Sequence, residues 1–159
     1  MLAAILKNLF DRDLNKLSQE IEAYPNENAL WRIEPGISNS GGNLCLHLLG
    51  NLNTYIGAEL GNSGYIRHRD REFSDRYVPR PELLAGIATT RRVVEAALAQ
   101  LADEQLAAEY PVVVFESPTS VAYMLMHLAT HLTYHLGQIN YHRRLLDATQ
   151  TQAPMPQEA

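Results

Sequence analysis

The residues of this chain with the clearest chemical potential are its histidines. Four of the six lie between residues 127 and 142, in the run HLATHLTYHLGQINYH. His127, His131 and His135 follow one another at steps of four, and His142 comes seven residues later. On an α-helix each step of four turns the side chain by only about 40°, so the four imidazoles share one side. Two imidazoles at this spacing can bind one metal ion. His131 and His135 form the best pair because they lie closest to the apolar stripe of the helix.

A zinc-like ion needs at least three protein ligands, so a third must come from elsewhere in the chain. His47 lies in GGNLCLHLLGNLNTYI, whose helical pattern allows it to face inward. His68 lies in the charged run RHRDRE, which is typical of a solvated surface segment, and is left out. The predicted metal site is therefore His47 facing His131 and His135. A buried histidine network and a surface or interface stripe are the alternatives.

Other polar residues could support such a site, although none is assigned a catalytic role. Asn51 and Gln138 are candidates for the residues that orient the ligands, or for plain polar packing. Trp31 is predicted to close one end of the core, with a pocket lining as the alternative. The mixed charges from Arg67 to Arg76 predict a solvated face, or else a loop over the pocket or a dimer contact. The sequence offers no clear general base, such as a glutamate next to the ligands.

Composition excludes several classes of function. The length of 159 residues suits one domain, predicted over residues 1–149, followed by a polar tail at 150–159 predicted to be disordered. A formal charge of −5 argues against nucleic-acid binding, and no apolar run is long enough to cross a membrane. Cys45 is the only cysteine, which excludes an internal disulfide and favours a cytoplasmic location. Its position two residues before His47 points it away from the metal and predicts a small core residue.

Four amphipathic helices are predicted to position these residues, and the fold class is therefore all-α. They cover residues 2–23, about 40–60, 81–101 and 117–148, with Ser38, Asn39 or Ser40 as the cap of the second. Residues 110–115, YPVVVF, have no obvious partner strand and predict an extended linker, with the edge of a single hairpin as the alternative. Four long helices indicate a four-helix bundle, which builds metal sites from facing helices, and its long connections permit parallel neighbours.

Three segments in this order resemble a known family. GGNLCLHLLGNL, RHRDREF and THLTYHLGQINYHRRLL resemble the DinB-like family of proposed metalloenzymes, which includes bacterial thiol S-transferases. The resemblance implies a four-helix bundle of up-down-down-up order, commonly a homodimer. It also implies a divalent metal, zinc or nickel, on His47, His131 and His135. His127, one turn earlier than the family's pair, would be an additional residue beside the ligands.

The function that follows from the resemblance is a metal-dependent transferase. A divalent ion lowers the pKa of a bound low-molecular-weight thiol, and the thiolate then attacks an electrophile. The alternative is a non-catalytic metal-binding or stress-associated dimeric bundle, and a third possibility is a dimerisation module with an empty site. A closed shell of four ligands that includes His127 would favour the non-catalytic bundle, whereas an open shell of three histidines with a pocket lined by Trp31 or tyrosine residues would favour the transferase.

Overall fold

The described part of the chain is helical. A computed structural model describes residues 2–151, with side chains through residue 147. The helices are α1 (Leu2–Glu22), α2 (Glu27–Trp31), α3 (Gly41–Leu52), α4 (Arg69–Ser74), α5 (Arg80–Ala99) and α6 (Val121–Thr151). A π-helical turn, Asn53–Ala58, continues α3, and a 3-10 helix, Asp103–Ala107, follows α5. These residues form no strand, which confirms the predicted all-α class.

The four long helices surround a common apolar core. α1 packs against α5 and α6, and α3 packs against the same two helices. The predicted apolar stripe of α6 is buried, which confirms that this helix turns one face to the core; its members are Val121, Leu125, Leu128, Leu132, Leu136 and Ile139. The more specific prediction of an up-down-down-up bundle stays a prediction, as does the single domain over 1–149. The predicted tail lies outside the described residues from 152 onward.

Two short helices, α2 and α4, were not expected. Asn26 caps α2 by accepting a hydrogen bond from the backbone N–H of Ala29 at 2.9 Å. Both helices are too short for hydrophobic periodicity to indicate them, because five or six residues make less than two turns. α4 matters for function, because it lies against α3.

The start of α6 differs from the prediction for a clear reason. The backbone N–H of Tyr110 donates to the carbonyl of Thr119, and that of Val121 donates to the carbonyl of Ala108. These bonds hold the chain extended through Ser120, so the helix begins at Val121 rather than at residue 117. Ser120 then caps the helix by accepting from the backbone N–H of Tyr123 at 3.1 Å.

His142 belongs to a structural network away from the other histidines of α6. The hydroxyl of Tyr24 lies 2.7 Å from its Nδ1, and its Nε2 lies 3.1 Å from the carbonyl of Arg32. Because a carbonyl only accepts, Nε2 carries the proton and Nδ1 accepts from the Tyr24 hydroxyl. Burial lowers the pKa of His142, which keeps the ring neutral. His142 therefore belongs to a buried hydrogen-bond network, which is the alternative to metal binding given for the histidines of this helix.

We expect His142→Phe to lower the free energy of unfolding by about 1–3 kcal/mol, because Tyr24 and the Arg32 carbonyl would lose a buried partner. Urea unfolding at pH 7.5 measures this loss. The double variant Tyr24→Phe/His142→Phe is the control, and it should cost less than the sum of its single variants because it leaves no orphaned hydroxyl. If the loss in the double variant equals the sum of the losses in the two single variants, the Tyr24–His142 hydrogen bond does not contribute to stability.

Candidate metal centre

Three histidine nitrogens converge between α3 and α6. His47 reaches from α3, and His131 and His135 come from successive turns of α6. The Nε2 atom of His131 lies 3.3 Å from Nε2 of His47 and 3.1 Å from Nε2 of His135. All three ligand atoms lie within 4.8 Å of one another, so the three residues could hold one metal ion. The structure thus brings together the three side chains that the sequence selected as ligands.

Two supporting contacts determine which ring nitrogen of His47 and which of His135 faces the centre. Nδ1 of His47 lies 2.9 Å from a carboxylate oxygen of Glu72, and Nδ1 of His135 lies 2.7 Å from the side-chain oxygen of Gln138. Both oxygens only accept, so both Nδ1 atoms carry the proton. The Nε2 atoms of His47 and His135 therefore direct lone pairs at the centre, as metal-ligating histidines do. Gln138, predicted either as a supporting residue or as plain polar packing, is the acceptor of the bond from His135.

The ring of His131 cannot donate hydrogen bonds to both of these lone pairs. Its Nε2 can donate one proton to one of them at most. Among the described residues its Nδ1 is buried and has no hydrogen-bond partner. A cation accepts all three lone pairs at once, and a tetrahedral zinc site separates its imidazole nitrogens by about 3.3 Å. The donor set and its spacing therefore fit a divalent ion that favours imidazole.

Burial keeps the rings in the state that binds metal. It lowers the pKa of His131 from 6.5 to about 4, and the nearby rings of His135, His47 and His127 lower it further in that order. Burial also lowers the pKa of His47, although the hydrogen bond and charge of Glu72 oppose this shift. Neutral imidazoles at neutral pH do not have to lose a proton before they bind a metal ion.

Glu72 is the residue that the sequence interpretation missed. The run from Arg67 to Arg76 is predicted as a solvated face, or else as a loop over the pocket or a dimer contact, and for Glu72 the prediction of a solvated face is wrong. Its side chain is buried, and Arg67 donates to both carboxylate oxygens, at 2.7 and 2.9 Å. This ion pair raises the pKa of the Arg67 guanidinium. The carboxylate is thus neutralised by Arg67 while it accepts from His47.

The surface of α3 explains how a glutamate can lie so close to His47. A Cβ atom on Gly50 would lie 2.0 Å from Oε1 of Glu72, so only glycine leaves room for the carboxylate. The side-chain amide of Asn43 donates to the backbone carbonyls of Glu72 and Asp75, at 2.9 and 3.0 Å. Ser40 caps α3 as one of the three predicted candidates, and its hydroxyl also donates to Asn43. In the sequence, the only sign of this close approach is Gly50, a glycine within a leucine-rich helix.

His127 lies beside the centre and outside its group of ligands. Its ring stacks on His131 with centroids 6.0 Å apart, and Phe115 packs edge-on against it at 4.9 Å. The ligand group within the described residues contains His47, His131 and His135 and not His127. A metal ion bound here would have three histidine ligands, and the remaining positions would be open to water or substrate.

The remaining predicted residues lie in the core near α3. Asn51 is buried one turn after His47, and its Oδ1 has no partner among the described residues. Trp31 is buried with its six-membered ring against Gly42, and it is also among the residues that line a surface cavity. Cys45 is fully buried, and burial raises the pKa of its thiol to about 12, so it is an inert core residue as predicted.

A cavity of about 490 Å³ adjoins the centre on the other side of Glu72. It lies between α3, α4 and α5, and Leu49, Gly50, Glu72, Gly86 and Thr90 are among the residues that line it. None of the three histidines does so. Glu72 therefore separates this cavity from the metal ligands.

Comparison with known protein families gives a match over nearly the whole chain. The sequence model of a family described as "Protein of unknown function (DUF1572)" matches residues 3–154 of the chain. No curated protein matches it.

We expect Glu72→Gln to weaken zinc binding about tenfold or more, because residues that orient metal-bound histidines typically contribute ten- to a hundredfold to affinity. Competition with a chromophoric chelator at pH 7.5 measures the change. Asp70→Asn is the matched control, because Asp70 is an exposed acid of the same short helix. Equal losses in the two variants would mean that net charge, rather than the bond to His47, sets the affinity.

A second prediction concerns pH in the metal-free protein. Because the pKa of folded His131 is about 4 and its ordinary value is 6.5, the unfolded chain binds the proton better. The contribution of His131 to the free energy of unfolding is therefore fully present above pH 6.5 and is lost as the pH falls toward 4. Histidine NMR should give a titration midpoint near 4 for this ring, and His131→Gln should flatten the pH dependence of urea unfolding between pH 6.5 and 4. A midpoint near 6.5 would show that the ring is not desolvated.

Proposed function

Since the chain belongs to the DUF1572 family, which is part of the DinB/YfiT-like superfamily and whose function is not known, we propose a function from its own residues. The proposal is a divalent-metal-dependent transferase that acts through a low-molecular-weight thiol. The observation behind it is the convergence of His47, His131 and His135 in an open shell. We propose zinc or nickel as the metal, because both favour imidazole nitrogen.

Three properties of the site support thiol chemistry. A divalent ion on three neutral ligands keeps its full positive charge and would hold a thiol as its nucleophilic thiolate. Within the described residues no carboxylate joins the group of three, and Arg67 already neutralises Glu72. Phe73 packs on His47 with centroids 5.0 Å apart, and Phe115 packs on His127, so aromatic rings border the centre. Such surroundings limit water and strengthen the interactions of charges within the site.

Hydrolysis uses the same ligands and is the weaker interpretation. A hydrolase also needs a base that takes a proton from the attacking water. Glu72 is the acid closest to the ligands, yet it is buried behind His47 and bonded to both His47 and Arg67. In this position it orients the ligand and has no free oxygen directed at the open side.

The non-catalytic bundle is the second candidate, and one observation distinguishes it. A structural zinc site is closed by four protein ligands. Here His127 does not join the ligand group, which favours an open, reactive site. We also propose that the four long helices form the up-down-down-up bundle of the superfamily and that the protein acts in the cytoplasm, where free thiols are maintained. No helix in the described range has both the length and the apolar character of a bilayer-spanning segment.

We expect untagged protein to contain close to one equivalent of zinc or nickel by elemental mass spectrometry. His131→Ala should lose it, because two histidines rarely hold such an ion. His68→Ala is the control and should keep it, because His68 is exposed and lies outside the ligand group. Loaded protein should then consume a small thiol in the presence of a reactive electrophile, and His131→Ala should not. Protein that binds no zinc or nickel, even after incubation with either, would refute the proposal.

A further inference from the structure

The cavity between α3, α4 and α5 takes no part in the proposed metal chemistry. Its volume of about 490 Å³ lies within the usual range of small-molecule sites. Ala85 is exposed on α5, so the cavity opens to solvent on that side. The two long helices contribute apolar or small residues to its walls, among them Leu46, Leu49, Ala85 and Gly86. A concave, mainly apolar space of this size suits a small organic molecule.

Two side chains that line the cavity, Asn53 and Thr90, leave hydrogen-bonding groups unused. The amide nitrogen of Asn53 donates to the carbonyl of Leu49 at 2.9 Å and to the hydroxyl of Thr90 at 2.7 Å. Both amide protons are therefore engaged, and no described residue donates to the amide oxygen. Thr90 is only 1% exposed, yet its hydroxyl donates to none of the described residues. The pair thus offers one acceptor and one donor, which matches a hydroxyl group.

The charged side chains that line the cavity are paired within the protein. Arg71 and Asp75 form an ion pair with nitrogen and oxygen 3.2 Å apart. Glu72 accepts from Arg67 at 2.7 and 2.9 Å. A charged ligand would lose its hydration and would find no unpaired opposite charge among these residues, which is unfavourable. The electrostatics of the cavity therefore favour an uncharged ligand.

We propose that this cavity binds a small uncharged alcohol or phenol whose body is mainly apolar. Leu46 and Leu49 pack against the body of the ligand. Its hydroxyl group accepts from Thr90 and donates to the amide oxygen of Asn53. The backbone at Asn53 supports this assignment, because the π-helical turn Asn53–Ala58 begins there and such turns are frequent at functional sites.

The cavity shares Glu72 with the metal centre. Glu72 lines the cavity, and its carboxylate also accepts from Nδ1 of His47. Because α4 forms one wall and α3 and α5 form the others, a bound ligand contacts α4 and the long helices together. The ligand would therefore favour the position of α4 in which Glu72 orients His47, and so strengthen metal binding. This part of the inference, in which the ligand is a positive effector of metal binding, rests on the proposed function.

Isothermal titration calorimetry of the metal-free full chain at pH 7.5, with 2-naphthol as the probe, tests the cavity site. 2-Naphthol should bind with one-to-one stoichiometry. Naphthalene lacks the hydroxyl group and should bind roughly three- to tenfold more weakly, because one hydrogen bond is lost. The charged analogue 2-naphthoate should bind at least about tenfold more weakly than 2-naphthol. No binding of 2-naphthol, or equal or tighter binding of either analogue, would overturn the proposed site.

Variants of α5 locate the probe. Ala85→Phe should abolish 2-naphthol binding, because the added ring fills the cavity. Ala88→Phe is the matched control and should bind normally, since Ala88 is an exposed alanine of the same helix outside the cavity lining. Thr90→Val should remove the preference for 2-naphthol over naphthalene. Circular dichroism confirms the fold of each variant. Normal 2-naphthol binding by folded Ala85→Phe would place the probe elsewhere and overturn the site.

Zinc affinity tests the connection to the metal centre. Saturating 2-naphthol should strengthen zinc binding about fivefold or more, and zinc should strengthen 2-naphthol binding by the same factor, because coupling between two sites is reciprocal. In Ala85→Phe, 2-naphthol should leave zinc affinity unchanged, which excludes direct contact between the probe and zinc. Unchanged zinc affinity in the native protein would overturn the coupling. Protein that binds 2-naphthol but no metal would refute the proposed function and leave the cavity site standing.

Discussion

The structure around the site depends on one electrostatic constraint, which is that three imidazole lone pairs converge on one point of a partly buried site. His47 and His135 direct theirs inward because Glu72 and Gln138 accept the protons on the opposite nitrogens. His131 lies between them with a pKa of about 4, so protonation of this ring does not relieve the repulsion near neutral pH. The protein maintains this arrangement through packing, because the leucines of α6 fix its rotation against the core.

The supporting residues belong to elements with different stability. Gln138 lies on the same long helix as His135, so its position follows from the helical spacing alone. Glu72 lies on α4, which has six residues and one buried side chain, Glu72 itself. α4 is held in place by Asn43 and by the space over Gly50, both on α3. The orientation of His47 therefore depends on a tertiary contact, and that of His135 on local structure.

This difference explains what could be predicted from the sequence. The spacing of His131 and His135, and the inward pattern around His47, predicted the three histidines that converge, because helical periodicity determines which side chains share a face. The same logic suggested Gln138. Glu72 could not be found in this way, since it lies in a run of charges whose usual fate is solvent exposure. Its burial follows from Arg67, which removes the cost of an isolated charge, and from a missing side chain at Gly50.

The attachment of α4 has a consequence for the kinetics of metal exchange. The attachments of α4 include the buried carboxylate of Glu72, the ring of Phe73 on His47 and the two bonds from Asn43, and because they are few we expect α4 to open before the four long helices unfold. Opening would remove the acceptor from Nδ1 of His47 and free that ring to turn away. An ion held by the closed form would in turn favour the closed state of α4 by mass action. The rate at which the metal leaves would then be set by local opening of a six-residue helix rather than by the strength of the coordinate bonds.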